Sequence, residues 1–144
     1  SDLRKPASQG RHPLPEAADF VDFLASSGIG PEHQVVVYDH GDAAMAASRA
    51  WWLLRLLGQH RVAVLDGGFA RWVQLGLPVT AEVAVVEAPT TCFAPRFDAA
   101  AIAGDAEIEQ RLQGAPGWLL DARAPERSPI GSLRRRRGNV RRRA

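Results

Sequence analysis

QVVVYDHGDAAMAASRAWWLLRLLGQHRVAVLDGGFARWVQLGLP, residues 34–78, decides how this chain folds. It holds two short β-branched runs, Val35 to Tyr38 and Val62 to Leu65, each followed by a turn-rich loop and then an apolar-periodic segment. That succession is the pattern of consecutive βα units in a parallel sheet. Val35, Val36 and Val37 follow one another without a polar break, so the strand is expected to be buried on both faces. Ala46 to Leu57 reads as a helix stopped by Gly58, and its Trp51 and Trp52 are expected in the core. Asp66-Gly67-Gly68 turns the chain into a helix from Phe69 to Leu75, which Gly76-Leu77-Pro78 ends. The loop Asp39 to Ala47 lies between the carboxyl end of a parallel strand and a helix start, where α/β folds place ligands.

Outward from this stretch, Ser1 to Gly10 is polar and without periodicity, a loop. Pro15 suits the first turn of a helix whose Glu16 and Asp19 meet the positive end of its dipole. Ala17, Phe20, Val21 and Leu24 share one face of that helix, with Phe23 alongside. Gly28 and Ile29 supply a glycine stop with an apolar follower, and Gly30-Pro31 leads into the first strand. Downstream, Val79 to Phe97 is rich in small residues and prolines and reads as a linker with a short strand at Val83 to Val86. Asp98 to Leu112 resumes helical spacing, broken near Gly104. Trp118-Leu119-Leu120-Asp121 has the look of a further buried strand ending in an acid.

Composition narrows the function. A chain of 144 residues with 46% hydrophobic and 24% charged side chains fits one ordinary soluble domain. No apolar run approaches a membrane span, and Ser1 to Lys5 lacks the apolar core of a signal peptide, so no membrane partner and a cytoplasmic location are expected. The single cysteine, Cys92, excludes an internal disulfide framework and a multi-cysteine zinc site. His12, His33, His40 and His60 show no paired ligand spacing, so neither a metal nor a cofactor is expected. Ser128 to Ala144 carries seven arginines and no acid, which leaves the first 127 residues with a net charge of −5. One lysine against seventeen arginines points to a GC-rich coding sequence.

The order RHPLP, GI before VVVYD, SRAWWLLRLLG, VLDGGFARW followed by GLP, and LLDARAPER resembles the tandem-domain rhodanese family over roughly residues 2 to 127. The members of that family are thiosulfate and 3-mercaptopyruvate sulfurtransferases. The resemblance implies an α/β fold truncated at both ends, a partial rhodanese-like domain of parallel sheet and flanking helices, then a linker, then the first strand of a second such domain. Residues 1–80 correspond to the latter part of an N-terminal, non-catalytic domain, 81–117 to the linker, 118–127 to the start of the catalytic domain and 128–144 to an Arg-rich, disordered tail.

In that family a cysteine thiolate takes sulfane sulfur from a small anionic donor, holds it as a persulfide and passes it to a thiophilic acceptor. The cysteine opens a strand-to-helix loop whose N–H groups stabilise the charged sulfur. The resemblance puts Asp39 at that position, and a carboxylate cannot carry sulfane sulfur. Asp39 therefore marks an inactive loop. Cys92 lies in the linker without a preceding strand, a Gly-rich turn or a neighbouring base, so no catalytic residue is expected in this chain. Arg127 is the carried-over substrate-binding residue and Arg123 the second, because a guanidinium fork suits an oxyanion or carboxylate. Arg123 could equally pair with Asp121 or Glu126.

After Arg127 the family pattern stops, and Arg134 to Arg137 and Arg141 to Arg143 follow. A frame change in GC-rich DNA accounts for such a tail. The competing reading is a non-catalytic binding module with a basic nucleic-acid arm, although the tail has no aromatic for stacking on bases. Nucleic acid is accordingly not the expected partner. An incomplete sheet is expected to associate or aggregate.

Overall fold

The computed structural model describes residues 13–40, 45–83 and 85–120. Residues up to Ile102 form one compact unit, and those from Ala103 a second. In the first unit the order is α1 (Ala17–Ser26), β1 (Val35–Val37), α2 (Ala46–Leu56), β2 (Val62–Val64), α3 (Gly68–Gln74) and a 3-10 turn (Ala99–Ala101). The second holds α4 (Asp105–Leu112). The fold class is α/β, as expected.

Helix α1 buries Phe20, Val21 and Leu24, the face that its spacing indicates. It ends where Gly28 takes φ +71°, a left-handed conformation that costs glycine little. The Gly28 N–H then bonds to the Ala25 carbonyl at 3.0 Å and the Ile29 N–H to that of Leu24 at 2.9 Å. Two orphan carbonyls of the last turn are thereby satisfied. Helix α2 stops in the same way, with Gly58 at φ +87° and the Gln59 N–H on the Leu54 carbonyl at 3.0 Å.

Strands β1 and β2 pair in parallel, Val35 opposite Val62, Val36 opposite Ala63 and Val37 opposite Val64. Helix α2 crosses between them and packs on both. Val35, Val37 and Val62 face a core of Phe20, Val21, Leu24, Leu53, Leu54, Leu56 and Phe93. Val36, on the opposite face, is 50% exposed. The expectation of burial on both faces is therefore corrected: successive side chains of a strand point to opposite faces, and among the described residues the core covers only one.

The tryptophans also depart from expectation. Trp51 and Trp52 are 37% and 36% exposed, whereas Ala47, Leu53, Leu54 and Leu56 are buried. At about 3.6 residues per turn, Leu53, Leu54 and Leu57 hold the face toward the sheet, and positions 51 and 52 fall to its flank and back. Helical position between apolar neighbours in sequence does not place a side chain on the buried face.

Residues after Pro78 first run in the open and then return. Val83 is 93% exposed, and no strand forms at 83, 85 or 86, because a strand needs a partner edge and none is presented there. From Val86 the chain lies against the first unit. Phe93 enters the core at 7% exposure, the Phe97 ring stands 6.3 Å from that of Phe20, and the Asp98 N–H bonds to the Leu56 carbonyl at 2.8 Å. Asp98 also caps the 3-10 turn through a bond from the Ala100 N–H at 3.0 Å. A stretch with the composition of a linker thus contributes to the core.

One buried polar side chain holds the amino end of the sheet together. Gln59, 3% exposed, donates to the carbonyls of His33 at 2.9 Å and Pro31 at 3.4 Å and accepts the Arg61 N–H at 2.9 Å. Its amide thereby joins the entry to β1 to the entry to β2.

In the second unit α4 begins after Gly104, as the break in spacing indicates, and carries an i,i+4 pair from Arg111 to Glu107 at 3.1 Å. Trp118 to Leu120, expected to open a buried strand, form none, and Trp118 is 89% exposed. The apolar run has no partner strand among the described residues, and Asp121 lies outside them.

Candidate functional site

Parallel pairing brings the carboxyl ends of β1 and β2 side by side. Asp39 and His40 follow β1, and Leu65, Asp66 and Gly67 follow β2 into α3. Two backbone bonds fasten the two exits: the Leu65 N–H to the Val37 carbonyl at 2.9 Å, and the Phe69 N–H to the Asp39 carbonyl at 3.1 Å. The Phe69 ring stacks on Tyr38 at 6.0 Å between centroids and lies 6.1 Å from the His40 ring. Position 39 is thus set by backbone bonds and aromatic packing from a neighbouring βα unit. Its side chain is half-buried.

The far end of the loop is Met45, the residue before α2. Residues 41–44 of the loop lie outside the described part. Arg49 of α2 donates to the Pro13 carbonyl at 2.6 Å, which ties the segment Pro13-Leu14-Pro15 to the helix after the loop. Leu14 packs on the core and Pro15 is buried, so that proline-bearing segment is part of the framework.

Cys92 is exposed. Its neighbour Thr91 donates to a carboxylate oxygen of Glu32 at 2.8 Å, and Glu32 precedes β1. Asp39 follows β1. The only thiol in the sequence therefore stands at the amino end of the sheet, opposite the end where a strand-to-helix loop would activate it. Arg123 and Arg127, the residues expected to bind a substrate anion, lie outside the described residues, as does His12. No group of His, Cys, Asp and Glu side chains suited to a metal ion occurs among the described residues.

A feature that sequence reasoning missed adjoins this end of the sheet. Val36, Tyr38, Leu65, Phe69, Trp72, Pro78 and Val79 line an open groove of about 520 Å³ on the face of β1 turned away from the core. The Trp72 indole N–H bonds to the Pro78 carbonyl at 3.0 Å and holds the chain leaving α3 against the helix. The signal lay in two spacings, i,i+2 for Val36 and Tyr38 on β1 and i,i+3 for Phe69 and Trp72 on α3, which put these side chains on one surface.

Residues 5–75 match the model of the rhodanese-like domain. Mouse 3-mercaptopyruvate sulfurtransferase is 34% identical over 117 residues, which cover 81% of this chain and 39% of that protein. Bovine thiosulfate sulfurtransferase is 34% identical over 127 residues, 88% of this chain and 42% of that protein. The chain therefore spans about two-fifths of the length of these curated relatives. The crystal structure of the 3-mercaptopyruvate sulfotransferase SseA from Escherichia coli superposes with a TM-score of 0.70 at 26% identity, covering 79% of this chain and 42% of that one. No described helix is long and apolar enough to cross a membrane. Family model, relatives and solved structure thus agree, and residues 5–75 belong to the rhodanese family.

Proposed function

We propose that this chain is the scaffold portion of a sulfurtransferase of the thiosulfate and 3-mercaptopyruvate type, and that by itself it transfers no sulfur. The carrying observation is the position of Asp39 at the carboxyl end of β1, where the family's chemistry requires a thiolate. A carboxylate there can be held by the loop, but it has no sulfur to form a persulfide. Cys92 stands at the other end of the sheet, away from the strand-to-helix turns whose N–H groups would face a charged sulfur. In this reading residues 1–80 act as the non-catalytic domain, 81–117 connect, and 118–127 open the catalytic domain. Arg127, with Arg123 second, receives the anionic donor there once the rest of that domain is present, by a bidentate guanidinium contact.

A thiocyanate-formation assay with thiosulfate and cyanide tests the proposal, repeated with 3-mercaptopyruvate as donor. No product above the uncatalysed rate is expected, for the chain as it stands and for Cys92→Ser alike. Turnover that disappears in Cys92→Ser would overturn it.

A further inference from the structure

We propose that residues 86–93 form a strap fastened to the first unit by an acid-releasable latch, in which the Glu32 carboxylate grips Thr90 and Thr91 while Phe93 stays anchored in the core. Three sets of contacts carry the inference. The Thr90 N–H donates to one carboxylate oxygen of Glu32 at 3.0 Å, and the Thr91 hydroxyl donates to the other at 2.8 Å. The strap is also seated on two glycines. A Cβ on Gly28 would stand 2.7 Å from the Glu87 carbonyl oxygen and 2.8 Å from Val86 Cγ1, and one on Gly30 would stand 2.5 Å from the Thr91 carbonyl oxygen. Finally, Phe93, two residues after Thr91, is buried against α1 and α2.

The two attachments differ in kind. Phe93 is held by apolar burial, which does not depend on pH. The clamp consists of charge-assisted bonds, stronger than neutral ones for as long as the carboxylate is ionised. A proton taken up by Glu32 from solvent removes that charge and makes one of the two acceptor oxygens a donor. The strap then detaches between Val86 and Cys92 and remains tethered at Phe93.

The charged and titratable groups around Glu32 set the direction. On its own loop, His33 Nδ1 lies 3.8 Å from the carboxylate and accepts the Gly30 N–H at 3.0 Å. From the entry to β2, the Arg61 guanidinium donates to the Glu32 carbonyl at 3.2 Å. From the strap come Thr90 and Thr91, and Glu87 is the acid nearest to them in the chain. Bonds to its own N–H first, and then to the Thr91 hydroxyl and the Thr90 N–H, hold the Glu32 carboxyl below the ordinary glutamate range, with His33 adding a smaller attraction. A depressed carboxyl contributes its full share above the ordinary glutamate pKa and loses it as pH falls through the lower, folded value. The latch is thus closed at neutral pH and opens in acid.

Amide hydrogen exchange at Thr90, read by NMR on the full chain, tests the latch. Between about pH 6 and acid well below the ordinary glutamate pKa, protection at Thr90, corrected for the intrinsic rate, is expected to fall. The amides inside α1 and α2 keep theirs. In Glu32→Gln, Thr90 is expected to be less protected at the higher pH and to lose this pH response. An equal pH response in Glu32→Gln, no protection at Thr90 at the higher pH, or a parallel loss in α2 would overturn the proposal. Should Glu32→Gln not fold, Thr91→Val keeps the Thr90 bond and removes one cause of the depressed carboxyl. Its midpoint must then move toward the ordinary glutamate range, and an unmoved midpoint refutes the latch.

Discussion

Replacing Phe93 by alanine is expected to bring the first unit close to unfolding, because a residue in a stretch with the composition of a linker supplies part of the core. Phe93 is 7% exposed and packs with Phe20, Val21, Leu24, Leu53, Leu54 and Leu56. A phenylalanine buries on the order of 150–250 Å². At about 25 cal/mol per Å² that burial is worth about 4–6 kcal/mol, an upper bound because the denatured chain already hides some of this surface. Core Phe→Ala changes cost about 3–5 kcal/mol, so about 3–4 kcal/mol is expected. A unit of about a hundred residues holds on the order of 5–15 kcal/mol in total. One sheet face is open, and no large described side chain is sealed below 2% exposure, which puts this unit at the low end. With a urea slope of about 1–1.5 kcal/mol per M, the midpoint should drop by about 2–4 M. Far-UV circular dichroism and tryptophan fluorescence, followed together, measure the shift and test whether one transition is being read. Val83→Ala, at a position 93% exposed, is the control and should not move the midpoint. A Phe93→Ala midpoint within about 0.3 M of wild type would show that the strap is not part of the fold.

Gln59→Ala should cost about 1–3 kcal/mol in the same titration, since it leaves the His33 and Pro31 carbonyls and the Arg61 N–H without their buried partner; a change confined to a few tenths would contradict the hub described for it. Gly28→Ala should cost at least about 1–2 kcal/mol, because the left-handed φ of +71° disfavours a side chain and the new Cβ meets the Glu87 carbonyl. Val36→Lys should reduce concentration-dependent light scattering without lowering the urea midpoint, since it places a charge on the open apolar face; unchanged scattering would mean that association proceeds elsewhere. Heat unfolding of the full chain should be broad, as two compact units, the second with no buried side chain among its described residues, melt separately. A sharp, reversible monomeric transition would contradict that expectation.

The elements that local chemistry specifies were legible in the sequence. Valine runs bounded by turn residues gave β1 and β2, and Gly28, Gly58 and Gly76 marked the ends of α1, α2 and α3 within a residue or two. These are decisions a few neighbouring residues make among themselves. What escaped depends on distant chain. Val36 resembles Val35 and Val37 in every local respect, yet it is exposed because the core gathers on one face only. Trp51 and Trp52 sit among leucines, but the rotation of α2 against the sheet turns them outward. Phe93 lies between two prolines in a segment with no period, and only the return of the chain across α1 and α2 gives it a core to enter. A valine run at 83–86 has the propensity for a strand without an edge to pair with.

The candidate site divides along the same line. The resemblance singled out Asp39 in the loop after a β-branched run, and in the structure Asp39 follows β1. Its separation from Cys92 could not be read, because fifty-three residues of sequence say nothing about which end of a strand each one occupies. The strap answers that question physically. By clamping Thr90 and Thr91 to Glu32 ahead of β1, it fixes Cys92 at the amino end of the sheet, while parallel pairing fixes Asp39 at the carboxyl end. Moving a thiol to the chemical end therefore requires changing residue 39 itself. Asp39→Cys would supply the sulfur atom, but the arginines proposed to bind the anion, Arg127 and Arg123, belong to the later segment rather than to this loop. That variant is expected to react with a thiol-directed alkylating reagent at position 39 and still to form no thiocyanate from thiosulfate and cyanide. Turnover by Asp39→Cys would show that the first loop suffices for sulfur transfer and that the division of labour proposed for the two segments is wrong.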